Sequence, residues 1–207
     1  MSAVLSAAAM RRITCADLRH LAAAYRPALH HAAARCAREV KLYLHWTAGH
    51  YGQFFADYHV QVDADGGIYV IGDGALDDVL AATYLRNSGS ISAAVLGCVG
   101  ATTEQLGSEP PTAAQIESLA MATAALADGL WLSIDAEHIL THGEAADNED
   151  GVYAHPPYGP RTTCERWDLE HLGTRESPIF SPWAEDGSRG GDILRGKAQY
   201  YREQGGF

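Results

Sequence analysis

Three residues of types that bind metal ions stand far apart in the chain. They are His45, His142 and Asp168. Two imidazoles and one carboxylate can hold zinc while leaving a fourth position open, which is the catalytic arrangement of this metal. Such a site would carry a charge of about +1 and would lower the pKa of a bound water to about 7. The spacing alone is weak support for it, because the residues are scattered and no compact His-Glu-x-x-His motif occurs.

The segment that carries His45 has the alternation of a strand. Within residues 41–46, Leu42 and Leu44 share one face, while Tyr43 and His45 share the other. A single histidine on a buried strand is more often a packing residue than a ligand. The assignment of His45 as a metal ligand therefore depends on whether the fold brings His142 and Asp168 close to it.

The remaining periodicities predict the elements around this strand. Residues 58–63 and 68–71 predict a β-hairpin, 91–97 a central strand, and 139–141 a short strand that leads into His142. A helix is predicted at residues 16–38, with an interruption near Pro27. A second helix is predicted at residues 112–129, beginning with a Thr112–Gln115 capping box and ending at Gly129. A third is predicted at residues 192–204. Residues 143–163 are expected to be an irregular loop.

This order predicts a single α/β domain with a central mixed β-sheet flanked by helices. Residues 1–40 are expected to form an N-terminal helical segment packed on the domain, residues 41–172 the core that carries the site, and residues 173–207 a C-terminal loop and helix. The chain of 207 residues is long enough for such a core without covalent staples.

Charge and composition exclude several kinds of partner. The formal net charge of −11 argues against nucleic acid and against anionic membrane surfaces. No apolar run approaches the roughly 20 residues that span a bilayer. The four cysteines fit free thiols in a reducing compartment, and the N-terminal residues lack the order of a signal peptide. We therefore expect synthesis in the cytoplasm, with any action on a cell wall following delivery by another system.

Six motifs in order resemble those of one enzyme family, over roughly residues 40–172. They are Tyr-Leu-His-Trp-Thr-Ala-Gly at 43–49, Tyr-His-Val at 58–60 with Asp-Gly-Gly-Ile-Tyr at 65–69, Arg-Asn-Ser-Gly-Ser-Ile-Ser at 86–92, Pro-Thr-Ala-Ala-Gln-Ile at 111–116, His-Gly-Glu at 142–144, and Arg-Trp-Asp at 166–168. The chain thereby resembles the type 2 N-acetylmuramoyl-L-alanine amidases, whose superfamily includes phage lysozyme-like amidases and peptidoglycan recognition proteins.

The resemblance implies a zinc hydrolase with a peptidoglycan recognition protein-like fold. It would cut peptidoglycan between N-acetylmuramic acid and L-alanine, with Zn²⁺ on His45, His142 and Asp168. Tyr58 matches an active-site tyrosine whose phenol would orient water or stabilise the oxyanion; its alternative is a packing role. Arg166 replaces a frequent lysine and is assigned electrostatic stabilisation of the oxyanion, against the alternative of a solvated side chain.

Several alternatives stay open at this stage. Glu144 would either orient a ligand imidazole or cap a loop. Cys164 rivals Asp168 as third ligand, and Asp168 is preferred because Arg166 then stands two residues before it. Ala94 occupies the place where some branches carry a glutamate base, so the glutamate-dependent variant is in doubt.

Three functions compete at this stage. The main one is a cell-wall lytic amidase, including a phage endolysin or an antibacterial effector. The others are a non-catalytic peptidoglycan-binding module and a cytoplasmic amidase that recycles anhydromuropeptides. Three intact ligand candidates favour an enzyme over a binding module. The oligomeric state is left open.

Overall fold

A computed structural model describes residues 3–102, 105–159, 167–173 and 189–205 of the chain. Its strands are β1 (Val4–Leu5), β2 (Met10–Ile13), β3 (Lys41–Trp46), β4 (Phe54–Phe55), β5 (Val60–Val62), β6 (Ile68–Ile71), β7 (Ser90–Val95) and β8 (Ile139–Thr141). Its helices are α1 (Cys15–Arg35), α2 (Ala113–Leu130), α3 (His142–Ala146) and α4 (Gly190–Gln204), and a 3-10 turn spans Ala7–Ala9.

Six strands form one mixed sheet in the order β2-β6-β5-β7-β3-β8. The pairs β5–β7, β7–β3 and β3–β8 are parallel, whereas β2–β6 and β6–β5 are antiparallel. Helix α2 packs on β5, β6 and β7, and it also contacts α1 and α4. The predicted central mixed sheet flanked by helices is confirmed, and β1 with β4 adds a separate two-stranded sheet.

The two faces of β3 have different surroundings. Leu42 and Leu44 join the main apolar core. Tyr43 and His45 alternate with them and so lie on the other face, in register with Ser92 and Ala94 of β7. Because all six residues of β3 are buried, a polar side chain on the second face must find its partners inside the protein.

The predicted interruption of the first helix at Pro27 is wrong, since α1 runs through it. Pro27 lies on the exposed side, so water can reach the carbonyl that loses its backbone partner. The buried side of α1, which includes Leu18 and Leu29, continues past the proline. Packing of this apolar face offsets the local cost of proline.

Two further expectations are corrected. Helix α2 ends at Leu130, one residue beyond Gly129. Gly129 instead permits the close approach of α1, because a Cβ at this position would lie 2.5 Å from the Arg19 carbonyl oxygen. The start of the segment expected to be irregular is the short helix α3. Thr141 and Glu144 form a capping box that begins it.

Within the described ranges, no helix has the length and apolarity needed to cross a bilayer. Cys15, Cys36 and Cys98 are free thiols, as expected. Cys164 falls outside the described residues.

Two glycine substitutions should change stability in opposite directions. Gly89 has φ +68°, and a Cβ there would lie 2.4 Å from the Ala33 backbone nitrogen of α1. Gly89→Ala should therefore cost more than the roughly 1–2 kcal/mol of a left-handed conformation alone. Gly196 is an exposed residue inside α4 with open space around its Cα, so Gly196→Ala should add about 0.5–1 kcal/mol.

Urea denaturation of both variants measures these changes in the free energy of unfolding. A Gly89→Ala protein as stable as the wild type would contradict the close approach of α1 to the start of β7.

Candidate metal centre

His142 is delivered to His45 by the parallel pairing of β3 and β8. Leu44 lies opposite Thr141, and His142 follows immediately as the first residue of α3. The two imidazole rings meet edge to face, with centroids 4.7 Å apart. Sequence reasoning placed each histidine at the end of a strand, and the parallel register explains why those ends coincide.

Asp168 completes the cluster between the two imidazoles. His45 Nδ1 lies 2.8 Å from Asp168 Oδ2, and His142 Nδ1 lies 3.0 Å from Asp168 Oδ1. Tetrahedral zinc with bonds of about 2.0–2.2 Å needs nitrogen and oxygen ligands roughly 3.3 Å apart. Small shifts of these side chains would therefore suffice to admit the ion, and the described residues contain no second group of this kind.

The protonation states of His45 and Asp168 suit metal binding. Burial is the largest influence on His45 and lowers the pKa of its imidazole. Burial alone would raise the pKa of Asp168, but its electrostatic interactions and hydrogen bonds with His142 and His45 outweigh burial and lower that pKa. Metal ligation requires neutral imidazole and ionised carboxylate. The arrangement favours both forms near neutral pH.

Thr83 holds the second nitrogen of His45, a contact that sequence reasoning missed. His45 Nε2 lies 3.1 Å from Thr83 Oγ1, and a hydroxyl can accept as well as donate, so the imidazole could donate from Nε2 to Thr83 when its Nδ1 binds a metal. The backbone N–H of Thr83 donates to Asn87 Oδ1 at 2.8 Å. Asn87 belongs to the family-like motif at residues 86–92, and this motif was the feature of the sequence that could have pointed to the turn around Thr83.

Tyr58 lies against the cluster. Its ring centroid is 5.3 Å from that of His45, and its hydroxyl is at the limit of hydrogen bonding, 3.5 Å from the Trp46 carbonyl. Burial is the main cause, and the nearby Asp168 a lesser one, of a pKa for Tyr58 well above its usual value. The phenol is therefore a neutral hydrogen-bond donor at the edge of the site.

Glu144 lies close in sequence to His142 but its carboxylate has other partners. Oε2 accepts the Thr141 backbone N–H at 2.8 Å, and both oxygens accept from Arg195 at 2.8 and 2.9 Å. The hydrogen bonds resolved for the two imidazoles go to Asp168 and Thr83. The structure thus places Glu144 in the capping box of α3.

Ala94 lies directly opposite His45 in the parallel register of β3 and β7. It is fully buried, and its methyl group brings no carboxylate to this neighbour position. Arg166 and Cys164 lie outside the described residues, so their predicted roles remain predictions.

A buried ion pair between Arg86 and Asp150 connects the two loops beside the centre. Arg86 Nε donates to Asp150 Oδ2 at 2.5 Å and Arg86 Nη2 to Asp150 Oδ1 at 3.0 Å, and both side chains are fully buried. The hydroxyl of Tyr43, on the same strand face as His45, donates to Asp150 Oδ2 at 2.8 Å. The Arg86 backbone N–H donates to the Thr83 carbonyl, so this pair also supports the turn that holds His45.

Comparison with known proteins identifies the family to which the chain is similar. The family model described as N-acetylmuramoyl-L-alanine amidase matches residues 17–166. The endolysin N-acetylmuramoyl-L-alanine amidase LysCS from Clostridium intestinale URNW is 16% identical, with a TM-score of 0.37, over 50% of this chain and 68% of that one. The Ph2119 endolysin from Thermus scotoductus MAT2119 bacteriophage Ph2119 is 20% identical, with a TM-score of 0.38, over 50% and 71%. A search of curated proteins gave no significant match.

Proposed function

The chain belongs to the N-acetylmuramoyl-L-alanine amidase family, and on that premise we propose that it is a zinc-dependent hydrolase of the amide between N-acetylmuramic acid and L-alanine in peptidoglycan. The observation that carries the proposal is the convergence of His45, His142 and Asp168, whose ligand atoms lie within 4.8 Å of one another. A binding module without catalysis would not require this convergence.

The proposed ligands are His45 Nδ1, His142 Nδ1 and a carboxylate oxygen of Asp168. Zinc held there would polarise the scissile carbonyl and lower the pKa of water at its open position to about 7. The Thr83 hydroxyl is proposed to accept from His45 Nε2 when Nδ1 holds the metal, and so to orient the imidazole. Of the three side chains His142 is the most exposed, at 15%, so the substrate amide is expected to approach from its side.

Tyr58 and Arg166 are proposed to stabilise the negative charge that develops on the carbonyl oxygen. Tyr58 does so as a neutral donor, and Arg166 as a fixed positive charge. With Ala94 in place of a glutamate base, these groups and the metal carry the chemistry. Glu144 is proposed to position α3 rather than to contact the substrate.

The test combines metal content with product release. Purified protein should contain one zinc per chain and release stem peptides from murein, and His142→Ala should lose both. The proposal fails if stoichiometric zinc is absent and added zinc restores no release. Tight retention of muropeptides without turnover, with zinc bound, would establish the binding module instead.

The place of action is a separate question with its own measurement. Rates on intact sacculi should exceed rates on soluble anhydromuropeptides for a lytic enzyme. The reverse order would assign the protein to wall recycling.

Thr83→Val tests the support of His45. Valine matches threonine in shape but forms no hydrogen bond with His45 Nε2, so the imidazole loses this support. Zinc affinity should fall by roughly 10- to 100-fold, the usual effect of losing an outer partner of a ligand. Competition with a zinc-binding dye measures this, and Thr83→Ser is the matched control that keeps the hydroxyl. Equal affinities for the valine and serine variants would contradict the role.

Tyr58→Phe tests the phenol. The ring that contacts His45 is kept and only the donor is lost, so zinc affinity should be unchanged. The kcat should fall by roughly 10²- to 10³-fold, the range for losing one oxyanion donor. An unchanged kcat on murein fragments would assign Tyr58 to packing.

A further inference from the structure

The family match ends at residue 166, yet the third ligand candidate and the helix α4 lie beyond it. We propose that two buried arginines of this C-terminal region, Arg189 and Arg195, position the metal centre by holding its second and third ligand segments together. The inference rests on the proposed function only for the identity of the ion.

Arg189 joins the segment of Asp168 to the end of α3. Its Nη2 donates to Glu170 Oε2 at 2.5 Å and to Asp147 Oδ2 at 3.0 Å, and its Nη1 bonds Glu149. Glu170 stands two residues after Asp168, and Asp147 is the C-terminal cap of the helix that starts with His142. One guanidinium, 3% exposed, thus connects both ligand-bearing segments.

Arg195 fixes the other end of α3. Its two terminal nitrogens meet both oxygens of Glu144 at 2.8 and 2.9 Å, and Nη1 also donates to the Ile139 carbonyl of β8 at 2.8 Å. Arg195 thus contacts residues on both sides of the junction between β8 and α3, where His142 lies. The direction of His142 is therefore set by Arg195 acting through Glu144.

Two glycines let α4 come this close. A Cβ at Gly190 would lie 1.9 Å from the Leu169 carbonyl, and a Cβ at Gly191 would lie 2.3 Å from Glu144 Oε2. The Gly190 backbone N–H also donates to the Glu170 carbonyl at 2.8 Å. The first turn of α4 thus contacts the segment of Asp168 through Gly190 and the segment of His142 through Gly191.

A planar guanidinium is needed for this task. Arginine presents several donors in a rigid fork that can bridge separate carboxylates, whereas lysine offers a compact point charge. Lysine at position 189 would keep the charge that compensates the buried carboxylates. It would lose the two-nitrogen fork, in which Nη2 holds Glu170 and Asp147 while Nη1 holds Glu149. Charge compensation and ligand spacing can therefore be separated by substitution.

The experiment compares zinc affinity in full-length Arg189→Lys, Arg195→Lys and Arg202→Lys. Arg202 is the matched control, since it lies on α4 and donates to the Leu132 carbonyl, remote from the ligand segments. The first two variants should bind zinc roughly 10- to 100-fold more weakly, while the control binds as the wild type does. With zinc saturating, kcat on murein fragments should fall and KM should stay unchanged, because binding surfaces are untouched.

A merely structural role predicts a different result. Lysine variants of lower melting temperature but wild-type zinc affinity and kcat would overturn the proposal. If a lysine variant fails to fold, Glu144→Gln provides the second test. Glutamine keeps the capping bond and loses the charge facing Arg195, so zinc affinity should still fall, and wild-type affinity there would overturn the role of Arg195.

Zinc affinity is measured without substrate, so the two proposals fail separately. A wild type that binds zinc but releases no stem peptide refutes the proposed reaction and leaves the positioning role to be decided by the affinities. A hydrolytic wild type whose lysine variants bind zinc equally well refutes the positioning role alone.

Discussion

Replacing Asp168 by asparagine is expected to abolish stoichiometric zinc binding and hydrolysis together. Asparagine keeps the shape of the side chain but removes the charge that both imidazoles face at 2.8 and 3.0 Å. The loss of zinc affinity should exceed the roughly 10- to 100-fold seen when only an outer partner is removed. Equilibrium competition with a chelator measures the affinity, and release of stem peptides from murein measures the activity.

Cys164→Ser is the companion of this variant, because Cys164 is the rival third ligand. If Asp168 is the ligand, the serine variant should keep both zinc and activity. The opposite pattern, with zinc lost from Cys164→Ser and kept in Asp168→Asn, would transfer the third position to the cysteine.

Arg86→Met is expected to cause the largest loss of stability. Both Arg86 and Asp150 are fully buried, and methionine would leave the Asp150 carboxylate without its counter-charge. Breaking one side of a buried pair costs about 3–5 kcal/mol, a large share of the roughly 5–15 kcal/mol that stabilises a typical domain. Chemical denaturation gives the change in free energy of unfolding.

Lys197→Met supplies the matched comparison. Lys197 pairs with Glu117, but the two side chains are 37% and 40% exposed, so the loss should be at most about 1 kcal/mol. The double variant Arg86→Met with Asp150→Asn should recover part of the loss, since no buried charge is then left alone. Equal effects of the two methionine substitutions would refute the importance of burial.

The sequence predicted the strand that carries His45 and the short strand that leads into His142. The alternation in residues 41–46 predicted β3 and the side on which His45 lies, and the Thr112–Gln115 capping box predicted the start of α2, which the structure has. These features depend on neighbouring residues, so local patterns reveal them. The three ligand candidates came from the family resemblance, and the structure brings them together.

The supporting contacts could not be predicted in this way. Arg86 and Asp150 are 64 residues apart, and Arg195 and Glu144 are 51 apart. Nothing in the local sequence distinguishes a buried arginine from an exposed one, because burial is decided by distant segments. The same cause explains α1, where packing against α2 overrides the helix-breaking tendency of Pro27.

The separation of the ligand segments has a consequence for the unfolded protein. His45 and Asp168 are 123 residues apart, so an unfolded chain cannot present the three ligands together. A metal that binds only the folded form adds stability by mass action, about 2.7 kcal/mol when free metal exceeds the dissociation constant a hundredfold. If the centre holds zinc as proposed, free zinc in the surroundings would also affect how long the protein withstands heat and proteases.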